Sequence, residues 1–166
     1  CRFLLSKGQF QESSFESKVD EKSHLAIDEN NYLSTTTKGC ILLAEDQRIN
    51  QLVAKAIIEN EGFECEIAND GEEVIETLKA YPGRIQLILM DCQMPVKDGY
   101  MAANEIRMGL AGKAYQTIPI IAMTANAMKG DREKFIEAGM DDYLPKPIDK
   151  VKLLQKIALW SNSSNK

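Results

Sequence analysis

With 166 residues, 44% of them hydrophobic and 27% charged, the chain has the composition of an ordinary globular protein and the length for one domain with its own core plus a tail. Its formal net charge of −5 argues against nucleic acid as a direct partner, because no basic field would attract phosphates. No apolar run approaches the roughly 18 residues that cross a bilayer, and "CRFLL" is too short for a signal-peptide core. The four cysteines (Cys1, Cys40, Cys65, Cys92) show neither C-x-x-C spacing nor clustered histidines, so no disulfide framework or zinc site is expected and the setting reads as reducing and cytoplasmic. The missing initiator Met suggests either a chain cut from something longer or removal of the Met by processing.

Residues 1–39 are rich in Ser, Thr, Asn, Glu and Lys without a sustained apolar period, which predicts a linker or poorly ordered tail. His24, the single histidine, falls in this part and has no helical, apolar-periodic context. From Cys40 the pattern changes. "CILLAED" reads as a first strand, and Ile49, Leu52, Val53, Ala56 and Ile57 follow at the spacing of an amphipathic helix that Gly62 stops. "FECEIA" alternates like a strand, and residues 71–81 carry Val74, Ile75 and Leu78 on one helical face before a Pro82-Gly83 turn. "IQLILMD" is the third strand and residues 100–110 the third helix. "TIPIIAMTA" is a fourth strand, residues 127–138 a helix, and "DDYLPKP" a short fifth strand stopped by its prolines. Val151, Leu154 and Ala158 line the last helix, widened by Leu153 and Ile157, with Trp160 closing it against the core and residues 161–166 left as a disordered tail.

Five strand–helix alternations predict a doubly wound α/β domain over residues 40–160, and continuous apolar runs in strands 1, 3 and 4 predict parallel strands covered on both faces. In such sheets ligands bind beyond the carboxyl ends of the strands, where the strand order reverses. Those ends carry Glu45-Asp46, Asp91, Thr124-Ala125 and Lys146-Pro147. If the order is 2-1-3-4-5, Glu45, Asp46 and Asp91 converge. Three close carboxylates repel, and a hard divalent cation such as Mg²⁺ relieves that. Taken alone, "LILMD" leaves two readings of Asp91 open, a turn cap or a reactive group delivered to the sheet rim.

The pieces "LLAEDQRIN", "LILMDCQMPVKDG", "IIAMTANA" and "DDYLPKPI" together resemble response-regulator receiver domains of two-component signalling, over about residues 40–160. The wording around Asn50-Gln51 and "AMTANAM" is most similar to receivers attached to hybrid sensor histidine kinases. The resemblance implies a flavodoxin-like fold of five parallel strands and five helices, with Asp91 as the phosphorylated residue. It also implies Mg²⁺ or Mn²⁺ held by Asp46, Asp91 and the Gln93 backbone carbonyl, with Glu45 acting largely through metal-bound water. Lys146, the Thr124 hydroxyl and the Ala125 backbone N–H would meet the phosphoryl oxygens. Tyr143 would change rotamer as the surface of helix 4, strand 5 and helix 5 reshapes, and the Lys146–Pro147 bond would be cis. The implied partners are a histidine kinase or a histidine phosphotransfer domain; no membrane contact is expected of this segment, although a membrane-bound parent is compatible with it, and a weak homodimer is one option. The segment itself would be a switch and not a turnover enzyme.

Gln47 departs from the asparagine frequent after the acidic pair, and Gln93 and Asn126 occupy positions that influence phosphoryl lifetime in the family. A stand-alone regulator is the alternative parent. A haloacid-dehalogenase-like phosphatase wants a second acid where Gln93 stands, and a flavodoxin-like electron carrier wants a glycine- and hydroxyl-rich loop where "EDQRIN" stands. A docking module that is never phosphorylated is disfavoured because every reactive position is filled.

Overall fold

Strands that are apolar on both faces need cover on both, and that requirement organises this chain. The computed structural model describes residues 36–126 and 129–162. In chain order these form β1 (Cys40–Ala44), α1 (Arg48–Asn60), β2 (Glu64–Ala68), α2 (Gly71–Ala80), β3 (Ile85–Asp91), α3 (Gly99–Arg107), a 3-10 turn (Lys113–Tyr115), β4 (Ile120–Thr124), α4 (Lys129–Glu137), β5 (Asp142–Pro145) and α5 (Lys150–Ser161). All strand pairs are parallel, as the doubly wound alternation predicts, and the order is β2-β1-β3-β4-β5, the flavodoxin-like arrangement that the resemblance implies.

Side chains alternate across the sheet and feed two cores. Leu42, Ala44, Ile88, Met90, Ile120 and Ala122 pack with Val74, Leu78, Ala102, Ile106 and Phe135 of α2, α3 and α4. Ile41, Leu43, Leu87, Leu89, Ile121 and Met123 pack with Ala54, Ile58, Leu153 and Ile157 of α1 and α5. Between Cys40 and Ile41 the β1–β3 register skips Gln86, which puts Ile85 and Leu87 on opposite faces. Cys40, Cys65 and Cys92 are buried free thiols. Burial pushes the Cys65 thiol up to about 12 and the Cys92 thiol up to about 11, so both act as small hydrophobes.

Two helical faces differ from expectation. On α1 the buried residues are Gln51, Ala54 and Ile58, while Ile49, Leu52 and Val53 are 76%, 55% and 48% exposed. Apolar residues surround more than half of this helix, so periodicity alone could not choose a side. Tertiary hydrogen bonds of Gln51 choose it. On α5 the face is centred on Leu153 and Ile157, with Val151 and Ala158 outside. Lys156 and Trp160 both reach Asp142 on β5, and that contact sets the rotation.

Boundaries shift slightly. Helix α3 starts at Gly99 and stops at Arg107, ahead of the turn at Gly109 (φ +84°). Strand β4 starts at Ile120, just after Pro119. At the amino end, Lys38 N–H donates to Gly62 O at 2.9 Å and Gln86 Nε2 donates to Lys38 O at 3.2 Å. The expected tail, His24 and Cys1 otherwise lie outside the described residues, as do residues 127–128 of the expected fourth helix and residues 163–166. Among the described residues no helix is long and apolar enough to cross a membrane.

Candidate functional site

The strand order reverses between β1 and β3, whose ends lie side by side with Ala44 opposite Met90. The residues that follow, Glu45-Asp46 and Asp91, therefore meet at one rim. A carboxylate oxygen from each of the three lies within 4.8 Å of the others. Asp91 is 5% exposed and Glu45 fully buried, whereas Asp46 faces solvent.

From the far side, β5 delivers Lys146. Its ammonium lies 2.6 Å from Asp91 Oδ2 and 2.7 Å from Glu45 Oε2. The Lys146–Pro147 peptide is cis. Burial pushes the Asp91 carboxyl above its ordinary value, and the bonds from Lys146 and from Gln93 N–H (3.0 Å) pull it down without cancelling that. Burial would lower Lys146, but its bonds to Asp91 and Glu45 outweigh this and hold it above the usual lysine value.

Glu45 has a second task. Its Oε1 accepts from Gln47 N–H at 3.2 Å and Asn50 Nδ2 at 3.1 Å, so the carboxylate caps the start of α1, whose N-cap Gln47 makes no side-chain cap bond itself. Its Oε2 is buried and faces the Lys146 ammonium at 2.7 Å. Three acids facing one ammonium carry more negative charge than it neutralises and suit a hard divalent cation.

Beside the acids opens a cavity of about 520 Å³ that Asp91, Gln93, Thr124, Ala125 and Lys146 share. Thr124 Oγ1 donates to Asn126 O at 2.9 Å and accepts from Asn126 N–H at 3.1 Å, so its hydroxyl is engaged within its own loop. Tyr143 is not at the cavity. Its ring stacks on Phe135 of α4 with centroids 6.0 Å apart, and Phe135 stacks on Tyr100 of α3 at 5.9 Å. Tyr100 does line the cavity.

Sequence reasoning overlooked Tyr100 and the Asp131 and Lys134 side chains of α4, which also border the cavity, and it gave Asn50 and Gln51 no structural task. Two adjacent amides in the first turn of an apolar helix were the available signal for the last pair. Nothing in the pattern marks the others, since they reach the cavity from separate helices.

The chain is 43% identical over 120 residues to hybrid signal transduction histidine kinase I of Dictyostelium discoideum, a match covering 70% of this chain and 7% of that kinase. The chain thus spans a small part of such a relative. A solved receiver domain of a sensor histidine kinase from Pseudomonas aeruginosa, with a magnesium ion coordinated in its active-site cleft, superposes with a TM-score of 0.67. It is 40% identical, over 75% of this chain and 98% of that one. The receiver domain of the response regulator Ssk1 from Saccharomyces cerevisiae, solved with the histidine phosphotransfer protein Ypd1, gives a TM-score of 0.70 at 30% identity, over 78% of this chain and 93% of that one. Residues 41–158 match the family model of the response regulator receiver domain, and with the sheet order and strand-end acids in agreement, the chain belongs to that family.

Proposed function

We propose that Asp91 accepts a phosphoryl group from a phosphohistidine, within a hybrid sensor histidine kinase in the reducing cytoplasm. The observation that carries this reading is the Asp91 carboxylate at the end of β3, 2.6 Å from the Lys146 ammonium and within 4.8 Å of the Glu45 and Asp46 carboxylates. Asp91 would attack phosphorus, forming the O–P bond as the N–P bond to the donor imidazole breaks and its nitrogen keeps the electron pair. Asp46, Asp91 and the Gln93 backbone carbonyl would hold Mg²⁺ or Mn²⁺, with Glu45 behind them. When bound, such an ion supplies positive charge to the phosphoryl oxygens.

This chain's own residues do the positioning, which is most of what phosphoryl transfer requires. Lys146 can transfer from its two carboxylates to the phosphoryl oxygens as a mobile point charge. The Ala125 backbone N–H would donate beside it. Thr124 must release Asn126 O before its hydroxyl can do the same, so modification and loop rearrangement are coupled. Tyr143 would follow through the Phe135 and Tyr100 rings, reshaping the α4–β5–α5 surface.

The donor would be a helical histidine phosphotransfer protein seated on α1. Exposed Ile49, Leu52 and Val53 form an apolar stripe there. A recess lined by Asn50, Val53, Lys146, Pro147 and Ile148 adjoins it, and Asn50 and Lys146 border the reactive cavity as well. A protein delivering a phosphohistidine to Asp91 would cover this rim. One experiment with two arms tests both parts. With Mg²⁺ and a small phosphodonor, intact mass should show one added phosphoryl group on the wild type and none on Asp91→Asn. Uptake from a phosphorylated histidine phosphotransfer protein should slow about tenfold in Leu52→Ser/Val53→Ser, as loss of a modest hot spot would give, with uptake from the small donor unchanged. No Mg²⁺-dependent label on the wild type rejects the phosphoacceptor, and equal slowing with both donors rejects the α1 surface.

A further inference from the structure

One side chain in the chain's interior has no part in the chemistry above. Gln51 is 2% exposed on the inward face of α1, in line with Ala54 and Ile58. A buried amide costs free energy unless its groups are bonded, and an apolar residue would fill this place as well. Its Nε2 donates to Glu45 O at 2.6 Å and to Asn69 Oδ1 at 2.9 Å. Asn69 in turn donates its N–H and Nδ2 to Glu73 Oε2 at 2.7 and 2.8 Å. The amide thus joins α1 to the residues just beyond β1 and β2.

The bond to Glu45 O matters because that oxygen belongs to the peptide that leads into Asp46. The three acids are not held alike. Glu45 is fixed by Gln47, Asn50 and Lys146, and Asp91 by Gln93 and Lys146. The Asp46 carboxylate takes part in no hydrogen bond or ion pair among the described residues, and it faces solvent. Its placement therefore comes from its backbone, whose two flanking peptides are each held by a side chain: Gln51 Nε2 donates to Glu45 O at 2.6 Å, and Glu45 Oε1 accepts from Gln47 N–H at 3.2 Å.

We propose that Gln51 is a positioning residue for the cation site: by holding the Glu45 carbonyl it fixes the Glu45–Asp46 peptide and so the direction in which Asp46 presents its carboxylate. This rests on the reading of Asp46 as a metal ligand. Groups that orient ligands from behind typically change metal affinity 10- to 100-fold when removed.

The test is titration calorimetry of Mg²⁺ on the full chain, with melting temperatures measured without Mg²⁺. Gln51→Met keeps the length of the side chain and loses both N–H donors. Its Mg²⁺ Kd should rise by about tenfold. Asn69→Ala removes the other partner and leaves the bond to Glu45 O, so its Kd should stay close to that of the wild type even if it melts earlier. A purely structural role would lower both melting temperatures and leave both affinities alone. Should Gln51→Met fail to fold, Gln51→Asn withdraws the amide from Glu45 O by one methylene, and the same rise in Kd is expected. Unchanged Kd in a folded Gln51 variant overturns the positioning role. Absence of Mg²⁺ binding by the wild type overturns the cation site itself, which is a separate result.

Discussion

At the scale of single residues, Gly99 shows how tightly the loop after β3 is drawn around Asp91. Its φ is not in the left-handed region; the requirement is space. A Cβ there would lie 2.1 Å from Asp91 O and 2.8 Å from Met90 Cγ, and Gly99 N–H donates to Cys92 O at 3.3 Å. Gly99→Ala would have to push back the backbone that carries Asp91. It is expected to cost at least ~2 kcal/mol, as overpacking against rigid backbone does, and to reduce Mg²⁺-dependent labelling of Asp91. Urea unfolding and intact mass would check both, and an alanine variant of wild-type stability would refute the crowding. In the same loop Val96 adopts φ +64°, with Lys97 N–H donating to Pro95 O at 2.7 Å to close a three-residue turn. A β-branched residue there is strained, and its side chain is 85% exposed. The sequence named Asp91, Lys146 and Thr124 readily because strand ends are visible in a period. It could not show the self-bonded Thr124 or the strained Val96, since both depend on loop conformation.

At the scale of elements, the attachment of α5 to β5 rests on Asp142. Its carboxylate accepts from Lys156 Nζ at 2.6 and 2.7 Å and from Trp160 Nε1 at 2.9 Å. Burial pushes this carboxyl up, but Lys156, Trp160 and the Tyr143 N–H together outweigh that and hold it below the ordinary value. A carboxyl whose folded pKa is depressed stabilises the fold above its unfolded pKa of about 3.9 and loses that contribution as pH falls through the folded value. The stability gap between wild type and Asp142→Asn should therefore be full near neutral pH and shrink below about pH 4. Chemical denaturation across that range would measure it. A gap that is constant with pH would mean that the charge contributes nothing. Element type and order were legible from the period alone. The rotation of α1 and α5 was not, because it is set by polar contacts with partners distant in sequence, Asn69 for Gln51 and Asp142 for Lys156 and Trp160.

At the scale of the whole molecule, the described domain is closed at its amino end by Lys38, bonded to Gly62 and Gln86. The sequence reads residues 1–39 as a linker or poorly ordered tail, and on that reading we expect a chain beginning at Thr36 to melt at the same temperature as the full chain and take up the same Mg²⁺-dependent phosphoryl group. A lower melting temperature would assign the preceding residues to the fold. By itself the sequence determined the alternation of strands and helices, the two-sided burial of the sheet, and which acids, hydroxyl and lysine stand at its rim. Each of these follows from apolar periodicity and from the rule that parallel strands present their carboxyl ends together. Only the tertiary structure decided which face of α1 is buried, what holds each carboxylate, and that Tyr143 reaches the cavity through two other rings. Those outcomes depend on hydrogen bonds and stacking between residues far apart in the chain, where small differences in direction decide and the one-dimensional pattern carries no direction.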